Sequence, residues 1–129
     1  VTLQPAGLSN PLLLAHAVLF RCKQELELQQ EVSITWDDTL EFWQAAFDPR
    51  RPDRIELSSC LLDQPEHIRS LVYNAGHECF HAAVHAAIGS GAIPNELTFD
   101  NVRQEHLAEV YGHHVLDEWK WLLDKETRR

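Results

Sequence analysis

Apolar residues recur at helical spacing near both ends of the chain and in its middle, and alternate with polar ones in two short stretches between. Asn10-Pro11 has the form of a helix start, with Asn as cap and Pro in the first turn, and Leu14, Ala17, Val18 and Cys22 then mark one face of a helix expected to reach about Gln30. Val32-Ser33-Ile34-Thr35-Trp36 alternates apolar and polar with β-branched and aromatic side chains, as a half-buried strand does. Asp37-Asp38-Thr39 offers caps for a short helical piece, Leu40 to Phe47, closed by Asp48-Pro49 and the turn-rich residues after it. Arg54 to Ser58 alternates again and predicts a second strand, antiparallel to the first.

Asp63-Gln64-Pro65 restarts a helix whose stripe is Ile68, Leu71, Val72, Ala75, Cys79 and Ala82, and which Gly89-Ser90-Gly91 and Pro94 stop at about Ile88. A last helix is predicted from Asp100-Asn101 onward, with Glu105, Ala108, Glu109 and Gly112 along one stripe. The fold class expected is α+β: a small antiparallel sheet packed on the middle helix and on a C-terminal helix that carries glutamates.

At 129 residues the chain fits a single domain spanning 1–129. Its 44% hydrophobic content argues against disorder, and the sequence has no apolar run near the ~20 residues a bilayer requires. Eleven basic against twenty acidic residues give a net charge of −9, the wrong sign for binding nucleic acid through its phosphates. Cys22, Cys60 and Cys79 are odd in number and widely spaced, without a CxxC pair, which suggests a reducing, cytoplasmic compartment. Leu3 to Gly7 lacks the layout of a signal peptide.

The middle helix changes the picture, because His77-Glu78-Cys79-Phe80-His81 fits the HExxH pattern. Residues four apart on a helix return to nearly the same face, so His77 and His81 can turn two imidazoles toward one ion. Glu78 flanks that face, a position suited to a base acting on water rather than to a ligand. His85 has rotated further round and reads as a residue behind the ligands or on the surface; His16 reads as a surface or core-edge residue and His67 as surface.

A third ligand should come from the last helix. Ala108 and Gly112 would let it press against the alanine-rich HExxH helix, with Glu105 reaching the ion and Glu109, one turn on, orienting His77 from behind. Glu109 itself competes as third ligand, and His106, His113 and His114 are further alternatives. Two imidazoles and a carboxylate suit one zinc per chain and leave a fourth position for water, whose pKa zinc lowers toward ~7.

HECFH followed by E-x-x-A-E, then an aromatic and a small residue, resembles the gluzincin pattern, and within it the ImmA/IrrE peptidases, over roughly Arg54 to Gly112. The resemblance implies a zincin-like minimal metallopeptidase domain with His77, His81 and Glu105 as zinc ligands, Glu78 as general base, Glu109 behind the ligands and Tyr111 as a packing aromatic. Glu109 stands where the family has Asp or Asn, Gly112 where it has Ala, and Cys79-Phe80 where the pair commonly ends in Gly. A protein or peptide substrate is implied, and by family habit a transcriptional repressor. For the oxyanion, Tyr73, Arg103, His106 and Tyr111 are candidates.

Three rivals follow from the same residues. A non-haem iron oxygenase shares the two-histidine, one-carboxylate triad but leaves Glu78 without a role. An SprT-like protease would want a third histidine nearer the motif and a zinc ribbon. An inactive zincin-like interaction module would keep the metal and cleave nothing.

Overall fold

The computed structural model describes residues 10–92 and 101–127. Helix α1 (Pro11–Glu25) is followed by strands β1 (Ser33–Asp37), β2 (Ala45–Ala46) and β3 (Arg54–Ser58), two 3-10 turns at Ser59–Leu62 and Pro65–His67, helix α2 (Ile68–Gly89) and helix α3 (Asn101–Thr127). The α+β class holds. No helix among the described residues is long and apolar enough to cross a membrane.

α1 begins as its sequence predicts: Asn10 Oδ1 accepts from the Leu12 and Leu13 amides, and Pro11 occupies the first turn. It ends earlier than expected. Glu27 takes a left-handed φ of 55°, and the amides of Glu27 and Leu28 bond back to the carbonyls of Gln24 and Lys23, closing the helix without a glycine. The buried face is Leu14, Ala15, Val18, Leu19 and Cys22, so the stripe lies slightly round from the expected one and Ala17 is exposed.

The sheet corrects the expected topology. Its order is β1-β3-β2, with β1 and β3 parallel and β2 antiparallel to β3. A turn-rich connection between two alternating strands reads as a hairpin, but the segment linking β1 to β3 is long enough for the crossover that parallel strands need. Part of that segment, Ala45–Ala46, pairs with Leu57 and Glu56 as an edge strand. The helix expected from Leu40 to Phe47 is therefore absent: two turns is too short to nucleate alone. Local bonds hold an irregular path instead, Asp37 Oδ1 accepting from the Thr39 amide and Gln44 Oε1 from the Glu41 amide. Ser58 Oγ donates to the Leu40 carbonyl at 2.7 Å and ties this path to β3.

α2 packs against α1, β3 and α3 together. Its buried residues run without a break from Asn74 to Cys79, besides Leu71, Val72, Ala82 and Val84, so most of its circumference is covered at mid-length. Ile55 and Leu57 of β3, Val18 and Cys22 of α1, and Val115 and Leu123 of α3 complete the core around it. The helix proper starts at Ile68, with Pro65–His67 as a 3-10 lead-in, and ends at Gly89 as expected. His67, expected on the surface, stacks under Phe42 with ring centroids 3.8 Å apart. The expected stop at Pro94 and cap at Asp100 lie outside the described residues.

Candidate metal centre

α2 and α3 run antiparallel and close, and glycine makes the approach. A Cβ at Gly76 would lie 2.8 Å from Val115 Cγ2, and one at Gly112 would lie 2.7 Å from the Tyr73 ring. Ala108, one turn before Gly112 on α3, is fully buried. The small residues of the α3 stripe thus face α2, and Glu105, further along, is carried to the histidines.

Glu105 spans both. Its Oε1 lies 2.7 Å from His77 Nε2 and its Oε2 3.1 Å from His81 Nε2, while the two imidazoles sit with centroids 5.1 Å apart. One ligand atom from each of the three falls within 4.8 Å of the others. Four-coordinate zinc with bonds of 2.0–2.2 Å sets its ligand atoms about 3.3 Å apart, so modest spreading would admit the ion. The donor set fits: imidazole nitrogens and a carboxylate oxygen are zinc ligands.

Each histidine is held from its other nitrogen. His81 Nδ1 lies 2.6 Å from Gln104 Oε1, an acceptor to which an Nδ1–H can donate, and Nε2 faces Glu105. His77 Nδ1 lies 3.3 Å from the Tyr73 hydroxyl. Burial pushes the His77 pKa down against the opposing charge of Glu105, in the direction of the neutral ring that a metal ligand needs.

Glu78 is 6% exposed, and its Oε2 is 3.7 Å from His77 Nε2. Burial, with the charge of Glu105 added, pushes its pKa up to about 8. Neither of these influences is a positive charge. The lining of the adjoining cleft, about 440 Å³, contains no lysine or arginine among the described residues. A divalent cation between His77, His81 and Glu105 would supply the missing charge.

The cleft opens from Glu78, His81 and Glu105 and runs along α2 past His85 to Val84 and Ile88, with edge strand β2 on the opposite wall. His85, expected behind the ligands or at the surface, lines this cleft and tilts against Phe47 at 5.7 Å. His106 borders a shallower concavity with Val102, Glu105 and Glu109. His113 and His114 are exposed, and His114 pairs with Glu25 at 3.0 Å, away from the triad. Of the residues considered for the oxyanion, Tyr73 is engaged on the Nδ1 side of His77 and Tyr111 donates to Glu25 at 2.8 Å.

Glu109 is half-buried, and its negative charge acts on both His77 and Tyr73. The hydrogen-bond partner at His77 Nδ1 is nevertheless Tyr73. That role was legible, because Tyr73 precedes His77 by four residues on one helix face. Gln104 carried no such signal, since its partner lies on another helix. The pairing of Ala45–Ala46, which walls the cleft, was likewise invisible in two alanines.

No protein-family model, no curated protein and no solved structure matches the chain.

Proposed function

We propose that the protein is a zinc-dependent peptidase in which His77, His81 and Glu105 hold the ion and Glu78 is the general base. The observation that carries this reading is Glu105 reaching across from α3 so that one carboxylate faces the Nε2 atoms of both motif histidines. Zinc, when bound there, polarises a carbonyl and acidifies water.

The chain's own residues supply the rest. Gln104 and Tyr73 fix the two rings so that Nε2 points inward. Glu78, at the cleft wall and 3.7 Å from His77 Nε2, takes the proton of the attacking water and returns it to the leaving amine. β2 offers an edge along which an extended peptide can lie. Glu78, buried at the cleft and otherwise unused, favours hydrolysis over the iron oxygenase reading. A zincin-like fold and a repressor as substrate rest on the resemblance alone.

The test is cleavage of a peptide library, read by mass spectrometry, with wild type and Glu78→Gln at equal zinc content. Glutamine keeps size and polarity but cannot take the proton, so cleavage by wild type alone is expected. Equal cleavage by both removes Glu78 from the mechanism; cleavage by neither, with zinc bound, leaves an inactive interaction module.

A further inference from the structure

We infer that Glu25, His114 and Glu118 form a separate zinc site, outside the cleft, that clasps the end of α1 to α3. It stands independently of the peptidase reading.

His114 and Glu118 are four residues apart and share a face of α3, and Glu25 meets them from the last turn of α1. His114 Nε2 lies 3.1 Å and 3.0 Å from the two Glu25 oxygens and 3.7 Å from Glu118 Oε2. One ligand atom from each of the three falls within 4.8 Å of the others. The separations from Nε2 straddle the ~3.3 Å between ligands of four-coordinate zinc, and an imidazole with two carboxylates is a zinc donor set. Tyr111 donates to Glu25 Oε1 at 2.8 Å and so holds that carboxylate without using Oε2.

The two carboxylates share Arg21, whose guanidinium lies 3.2 Å from Glu118 Oε2 and 3.9 Å from Glu25 Oε2. Glu118 Oε1 is buried with no hydrogen-bond partner among the described residues, so the arginine serves only one of its oxygens. A carboxylate can hold an ion through one oxygen or both. Arg21 and His114 are 45% and 47% exposed, so the guanidinium can swing into water and an ion can enter from solvent. Because the ligands are exposed and Arg21 must be displaced, this site fills at higher zinc than the cleft, above micromolar metal. Zinc here ties Glu25 to the helix that also carries Glu105.

The experiment is a zinc titration of the Glu105→Ala chain, which lacks the cleft site, followed by ¹⁵N NMR of its histidine rings. His114 Nε2 should give up its proton and shift saturably, ahead of exposed His16. Glu25→Gln or Glu118→Gln in that background should raise the zinc needed by at least about tenfold, since losing a ligand costs no less than losing a residue behind one. Arg21→Ala removes the competing cation and should lower it by up to about fivefold, the worth of an exposed ion pair. A His114 shift no different from that of His16, or one untouched by both glutamine variants, overturns the inference. So does a higher zinc requirement in Arg21→Ala. Saturation at His114 with no zinc held by His77 in wild type supports the inference and removes the cleft site instead.

Discussion

Gly76 and Val115 set the distance between α2 and α3: a single methyl group added at Gly76 would sit 2.8 Å from Val115 Cγ2 and 3.0 Å from its Cβ. Val115 is fully buried, so it cannot swing aside. The spacing matters because Glu105 and Gln104, which face the histidines, belong to the same helix as Val115.

Gly76→Ala should therefore destabilise the protein despite the ~1 kcal/mol by which alanine improves a helix interior over glycine. Overpacking of this kind costs about 1–3 kcal/mol, and the helices must part to relieve it. Zinc affinity should fall with stability, since Glu105 moves with α3. Adding Val115→Ala makes room for the methyl and should restore part of the lost affinity. Denaturant unfolding and zinc titration of the three variants check this; a Gly76→Ala variant at least as stable as wild type contradicts it.

Glu105 and Gln104 are sequence neighbours with separate tasks, and their variants should separate. Glu105→Ala removes a ligand and should abolish zinc binding at micromolar metal. Gln104→Ala leaves three ligands but frees His81 Nδ1, for a loss of about 10–100-fold. Calorimetric titration ranks the two. Zinc retained by Glu105→Ala but lost from Gln104→Ala would move the third ligand off Glu105.

The motif helix and its partner were legible because each rests on a periodic signal: the stripe from Leu71 to Ala82, and the alignment of Glu105 with Ala108 and Gly112. What escaped depends on contacts between distant segments. Nothing local to Ala45–Ala46 marks a strand, because its hydrogen bonds are to Leu57 and Glu56. Nothing local to Glu27 marks a helix stop, because glycine is the usual left-handed residue and a glutamate stands there. Parallel pairing of β1 with β3 is a property of the whole segment between them, not of either strand.

Glu25 joins the end of α1 to α3. It accepts from Tyr111 at 2.8 Å and lies 3.0 Å from His114 Nε2, with Arg21 close by. Burial raises its pKa, but the hydrogen bonds from His114 and Tyr111 and the charges of His114 and Arg21 outweigh it, and the carboxyl is held below its ordinary value. A depressed acid stabilises the fold above its unfolded pKa and loses that contribution as pH falls through the folded one. Glu25→Gln should lower stability by about 1 kcal/mol at pH 7, and the gap from wild type should close below about pH 4. Unfolding curves at both pH values test it; a gap that persists in acid would mean packing, not charge, is lost.

Glu78 runs the other way. Its folded pKa is raised to about 8 by burial and by Glu105, against 4.5 for the ordinary group. Between those values the metal-free folded state holds a proton that the unfolded state has released, so stability falls as pH rises through the window. At ~1.4 kcal/mol per pKa unit the ceiling is about 5 kcal/mol. His77, whose pKa is lowered, gives the opposite slope below its ordinary value of 6.5, so the wild-type curve mixes the two. Glu78→Gln isolates the carboxyl: the variant should match wild type near pH 5 and exceed it in metal-free stability near pH 8. Saturating zinc should shrink that advantage, because a cation beside Glu78 stabilises the ionised form. Metal-free curves that stay parallel from pH 5 to 8 would show that Glu78 ionises freely, and its burial against His77 would then lose its place in the mechanism.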